Sequence, residues 1–155
     1  MTLSVTRGRA ACYHFTMLAG PALAALIEKE SARIADLAAV YLFGSASRAG
    51  AQIPSDIDLG LLWKRGVSHR EKWSRAEAFA QRIEVEAGGR VDLIDLEDAP
   101  LDLQHRVLTE GTRVWDAAPV YRLRFETTAI SVAIDFLAWR RPYVKQWLMR
   151  VSRGR

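Results

Sequence analysis

Gly44-Ser45 stands ten residues ahead of Asp56-Ile57-Asp58 in the stretch FGSASRAGAQIPSDIDL, residues 43–59, and a further aspartate, Asp92, opens VDLIDL. Side chains on a strand repeat every two residues, so Asp56 and Asp58 share one face about 7 Å apart. If a strand bearing Asp92 runs alongside, ~4.8 Å away, its carboxylate joins them. Three carboxylates in an apolar sheet repel one another and lose hydration, which cations offset. Magnesium suits such a set, because it is a hard ion held by a few carboxylates together with water and phosphate oxygens. Gly44 keeps a side chain out of the path of a phosphate, and the Ser45 hydroxyl with the amides after it offers donors. Arg48, one turn further, adds a charged contact to the same phosphates. The combination suits nucleotidyl transfer, with two ions ~3.5–4 Å apart flanking the reacting phosphorus. Plainer roles exist for some of these residues: Asp56 as a turn residue after Pro54-Ser55, Asp92 as a strand cap after Gly88-Gly89, Arg48 as a surface arginine. Asp58 has no such role, since a carboxylate inside an apolar strand needs a partner.

The elements that must position these residues follow from periodicity. Pro21 to about Ile34 reads as a helix with Leu23, Leu26, Ile27 and Ile34 on one side, and Val40 to Phe43 as a buried strand that ends at Gly44-Ser45. Ile57 to Trp63 alternates as a second strand. Ser68 and Glu71 have capping-box spacing at the head of a helix running to Ala87, with Trp73, Ala76, Ala80 and Ile83 on its apolar side and Gly88-Gly89 as its stop. Val91 to Leu96 is a third strand, a short helix after Pro100 carries Leu103, Val107 and Leu108, Thr112 to Trp115 is a fourth strand, and Pro119 opens a long final helix. This order implies an α/β (α+β) domain, a small mixed sheet backed by helices. The link between the first two strands is too short for a helical crossover, so those strands are expected to be antiparallel.

Other polar and aromatic residues draw bland readings. Asp95 has the opposite strand parity to Asp92 and is expected to be solvated. His69 and His105 are expected to be exposed on helices, and neither they nor His14 has metal-ligand spacing. Trp63, Trp73 and Trp115 read as core or subunit-contact aromatics.

With 155 residues, 50% hydrophobic and 26% charged, the chain fits one domain with its own core. Residues 1–19 form an extension of uncertain role, 20–150 the domain with its final helix, and 151–155 a basic tail. The single cysteine, Cys12, has no intramolecular disulfide partner, which favours a reducing compartment. Phe15 to Ile27 is apolar after Arg7 and Arg9, but Gly20-Pro21 interrupts it, so the reading is a helix and not a secretory signal. No run approaches the ~20 apolar residues of a membrane span, and the expectation is a cytoplasmic protein. The net charge of +4 is unevenly placed: residues 136–155 hold Arg140, Arg141, Lys145, Arg150, Arg153 and Arg155 and no acid. Trp139, Tyr143 and Trp147 interleave with them at a spacing near four, which suits an apolar stripe on a packed helix or a protein-partner surface better than direct nucleic-acid binding.

Gly44-Ser45, ten residues, Asp56-Ile57-Asp58 and then Asp92 in VDLIDL resemble the polymerase-beta-type nucleotidyltransferase superfamily, and the short form resembles its minimal nucleotidyltransferase (MNT) members. The likeness covers about residues 22–150, and the end of the chain, RFETTAISVAIDFLAWRRPYVKQWL, resembles that of MNT antitoxins paired with HEPN-domain RNase toxins. The resemblance implies a polymerase-beta-like fold with a long C-terminal helix. It makes Asp56, Asp58 and Asp92 the catalytic, metal-holding carboxylates, with Gly44 and Ser45 on the triphosphate. It further implies Mg²⁺-dependent transfer of AMP from ATP to a tyrosine hydroxyl of the toxin, and both homo- and hetero-oligomers are compatible with it. Two other readings are a small-molecule nucleotidyltransferase, disfavoured because the chain has no second domain to form an acceptor pocket, and a non-catalytic antitoxin that acts by contact.

Overall fold

A computed structural model describes residues 20–44 and 56–153. The elements run α1 (Pro21–Ser31), β1 (Leu37–Phe43), β2 (Asp56–Trp63), α2 (His69–Ala87), β3 (Arg90–Asp95), α3 (Leu101–Glu110), β4 (Thr112–Asp116) and α4 (Pro119–Arg153). One four-stranded sheet has the order β3-β2-β1-β4. β1 is antiparallel to β2 and to β4, whereas β2 and β3 are parallel. That mixture follows from the connections, since the parallel pair is the one joined through a helix, α2.

The two faces of the sheet hold separate cores. On one, Val40, Leu42, Ile57, Leu59, Leu61 and Trp63 pack with Leu23 and Ile27 of α1 and Phe79 and Ile83 of α2. On the other, Tyr41, Phe43 and Leu62 meet Leu96 and Val107, with Tyr121 and Phe125 of α4 packed against them. β1 is buried at all seven positions, as expected of a central strand covered on both sides. It begins three residues earlier than periodicity predicts, because Leu37-Ala38-Ala39 carries no signal that separates a strand from helix. α1 correspondingly stops at Ser31, whose hydroxyl donates to the Ile27 carbonyl at 2.7 Å.

α2 starts as expected: the Ser68 hydroxyl accepts from the Glu71 amide and the Glu71 carboxylate accepts from the Ser68 amide, and Gly88 closes the helix at φ 73°. Of the two readings of Trp73, core or subunit contact, the core one is corrected, for this side chain is 69% exposed on α2 and Phe79 fills the core instead. Trp63 is buried as expected. Asp95 is not solvated, because Lys72 of α2 donates to it and to Glu97 at 2.9 Å each. His69 is exposed and His105 half-buried.

α4 is fastened by a buried polar network. Tyr41 of β1 donates to Glu126 at 2.5 Å, and Arg122, 6% exposed, donates to Glu126 at 2.6 Å and to Asp116 of β4 at 2.8 Å. Burial and the hydrogen bond to Glu126 both push the Tyr41 hydroxyl well above its ordinary pKa, so it stays a donor. Further along, the Arg140 guanidinium lies 4.0 Å from Asp102 at the start of α3. Of the two readings of the tail aromatics, packing on the domain is corrected at Trp139 and Tyr143, which are 62% and 57% exposed, and the partner-surface reading is left. Among the described residues no helix is long and apolar enough to cross a membrane.

Candidate active site

Alternate residues of β2 decide where the site opens. Asp56, Asp58, Gly60 and Leu62 share the face covered by α3. A Cβ on Gly60 would lie 3.1 Å from both Leu96 and Val107, so this glycine lets α3 cross close to the strand. Beyond Gly60, toward the start of β2, the same face carries the two aspartates. β3 lies in register with Asp92 beside Asp58 and Arg90 beside Asp56. Strand parity and the parallel pairing thus bring Asp56, Asp58 and Asp92 to one face at one end of the sheet, as the spacing predicts.

Gly44 closes the site from the side of β1, just past Phe43, the residue paired with Asp58. Its φ is +71°, and a Cβ built there would stand 2.1 Å from the Asp58 carboxylate oxygen Oδ2. Both the left-handed backbone and the close approach require glycine. Ser45 and Arg48 lie outside the described residues.

The electrostatics match this crowding. Burial, then the negative charges of Asp92 and Asp56, raise the Asp58 carboxyl above its ordinary pKa, and Arg106 of α3 partly opposes them. Arg106 is a functional candidate that sequence reasoning did not single out. It precedes Val107 in the helix that crosses Gly60, and only the packing of α3 on the sheet brings it near Asp58. Arg90 was also missed, although it lies two residues before Asp92 on the same strand face; its Nη2 is 3.2 Å from an Asp92 oxygen. Among the described residues, no group of three or more His, Cys, Asp or Glu side chains converges closely enough to hold a metal ion by itself. Asp56, Asp58 and Asp92 nevertheless suit a hard divalent ion whose other ligands are water and phosphate oxygens. They are acceptor-only groups that repel one another, and the glycine cradle holds the central carboxylate in place.

Solved structures with the same architecture include a chain of the MntA–HepT toxin–antitoxin complex, with 25% identity, TM-score 0.62, and coverage of 83% of this chain and 99% of that one. A chain from a toxin–antitoxin crystal with AMP-PNP is 30% identical with TM-score 0.61, covering 77% of this chain and 94% of that one. A third belongs to the complex of a tri-AMPylated Shewanella oneidensis HEPN toxin with its MNT antitoxin; it has 25% identity, TM-score 0.59, and coverage of 81% and 98%. No curated protein sequence matches the chain. The family model for "Polymerase beta, Nucleotidyltransferase" matches residues 26–119, from α1 through β4 and so across Gly44, Asp56, Asp58 and Asp92. The chain therefore belongs to the polymerase beta nucleotidyltransferase family.

Proposed function

We propose that this chain is an antitoxin that transfers AMP from ATP to a tyrosine hydroxyl of a HEPN-domain RNase toxin and so silences it. The observation that carries the reading is the register of Asp58 beside Asp92, with Asp56 on the same face and Gly44 against Asp58, in a chain similar to one from a complex with an AMPylated HEPN toxin. In the reaction the acceptor oxygen attacks the α-phosphorus of ATP, the bond from that phosphorus to the β-phosphate bridging oxygen breaks, and pyrophosphate leaves. Asp56, Asp58 and Asp92 would hold Mg²⁺, which when bound neutralises the triphosphate and lowers the pKa of the acceptor hydroxyl. Asp92, whose side chain is about half exposed, would receive the hydroxyl proton from an incoming protein side chain. Asp58 stays fixed between Gly44 and Asp92. Ser45 and Arg48 contact the triphosphate, and Arg106 adds positive charge at the roof.

The test is incubation of the purified chain with a HEPN-domain protein from the same genome, ATP and Mg²⁺, followed by intact-mass analysis of both proteins. The expected result is a gain of whole AMP units on the HEPN protein, abolished by Asp56→Asn/Asp58→Asn. In Asp92→Ala, transfer should fall by about 10²-fold or more, in the range for loss of a general base, while ATP affinity changes only a few-fold. A HEPN protein of unchanged mass beside a fully folded enzyme would overturn the proposal.

A further inference from the structure

α4 carries a second surface, remote from the carboxylates, that the chemistry does not use. Val132, Phe136, Trp139 and Tyr143 follow one another at spacings of four, three and four, the repeat by which one helix packs on another. The three rings adjoin one another in tilted pairs: Phe136 and Trp139 have centroids 6.1 Å apart at 33°, and Trp139 and Tyr143 5.0 Å apart at 45°. Val132, Trp139 and Tyr143 remain exposed although each is large and apolar. The neighbouring seam of the helix, Arg122, Glu126, Ala129 and Ala133, is the one that faces the domain. The stripe therefore looks outward, and it is a larger apolar array than isolated surface residues would give.

Charge states what fits it. Residues 132–155, the stripe and the helix beyond it, carry six basic residues and one acid, Asp135, whereas the rest of the chain holds 16 basic and 17 acidic groups. A second copy of this helix would bring the same net positive charge, whereas a helix with an apolar seam and acidic flanks would bring the opposite one.

The place of the stripe is also informative. Arg140 reaches Asp102 at the start of α3, while Gly111 at its end abuts Leu42 and Phe43 next to Asp58. α3 spans ten residues, about 15 Å, so the stripe and the carboxylates lie near its opposite ends. We propose that the Val132–Phe136–Trp139–Tyr143 stripe is a docking surface for an acid-flanked helix of the acceptor protein, capturing it at a distance from the site where its hydroxyl reacts. This rests on the reading of the chain as a protein-modifying nucleotidyltransferase.

The test compares the full chain with Trp139→Ser/Tyr143→Ser, both exposed positions, using the same HEPN-domain protein. Calorimetric Kd for that protein and steady-state AMP transfer to it are measured together with the KM for ATP. Losing two adjoining aromatics at an interface should raise Kd and the KM for the HEPN protein by about tenfold or more, while kcat and the KM for ATP stay unchanged. Unaltered Kd and protein KM in the double variant, with transfer intact, would overturn the docking surface and leave the transfer reaction standing. If the wild type binds the HEPN protein without modifying it and the double variant binds at least tenfold more weakly, the reaction falls and the surface stands. No binding by the wild type overturns both. Light scattering of the chain alone and gel shift with single-stranded RNA complete the test. A dimer that the substitutions dissociate, or RNA binding that they abolish, would assign the stripe to self-association or to nucleic acid and overturn the proposal.

Discussion

Asp58 is held where its own charge is unwelcome: partly desolvated, beside Asp92 and two residues from Asp56. Its folded-state pKa is raised, so the folded chain binds that proton more tightly than the unfolded chain does. The stability it contributes is greatest below the unfolded carboxylate range, near pH 4, and falls as pH rises through the folded value. In metal-free buffer, Asp58→Asn should therefore raise the melting temperature at pH 7 by roughly 1–4 °C, and the gain should shrink toward pH 4, while transfer is lost. A variant that melts lower at pH 7 would show that Asp58 is not strained by its neighbours. Gly44→Ala tests the other wall of the site. The left-handed backbone and the overlap with Asp58 should cost about 1–3 kcal/mol in a denaturant titration, and the displaced carboxylate should slow transfer by about 10²-fold. Wild-type kinetics in this variant would remove Gly44 from the site. These carboxylates were legible in sequence because period two puts Asp56 and Asp58 on one face. Arg106 was not, since nothing along the chain states that α3 returns over Gly60.

Among the elements, those with local signals were readable and those defined by their neighbours were not. Ser68 and Glu71 announced the start of α2, and the short link from Phe43 to Asp56 required an antiparallel pair. The first residues of β1 are set only by burial between two layers, and the Lys72 pairing that covers Asp95 spans elements far apart in sequence. The outward turn of Trp139 was equally hidden, because an amphipathic stripe does not say which side of a helix the domain takes. The attachment of α4 is a third such case, resting on Tyr41, Glu126, Arg122 and Asp116 from three elements. Tyr41→Phe keeps the ring but leaves the buried Glu126 oxygen without its donor. It should lower stability by about 1–3 kcal/mol in chemical denaturation, with kcat unchanged. A smaller loss would mean that solvent reaches Glu126 from the α4 side.

At the scale of the molecule, charge repulsion within the site makes its stability depend on what it binds. Mg²⁺ and ATP together at about 100 times the dissociation constant should add ~2.7 kcal/mol, a melting shift of roughly 5–10 °C. The shift should vanish in Asp56→Asn/Asp58→Asn; an equal shift in that variant would place the nucleotide elsewhere. Sheet order has a temporal consequence as well. β2 and β3 are spatial neighbours, yet α2 separates them in the chain, so Asp58 and its companion Asp92 are 34 positions apart. A ribosome adding ~5–20 residues per second exposes the first about 2–7 s before the second, and the parallel edge strand cannot zip until the crossover has docked. α4, with its outward aromatic stripe, follows β3 in the chain and emerges after it. A nascent chain thus passes through an interval in which two of the three carboxylates, Asp56 and Asp58, exist and Asp92 does not. The three carboxylates can gather only once β3 has emerged and paired with β2.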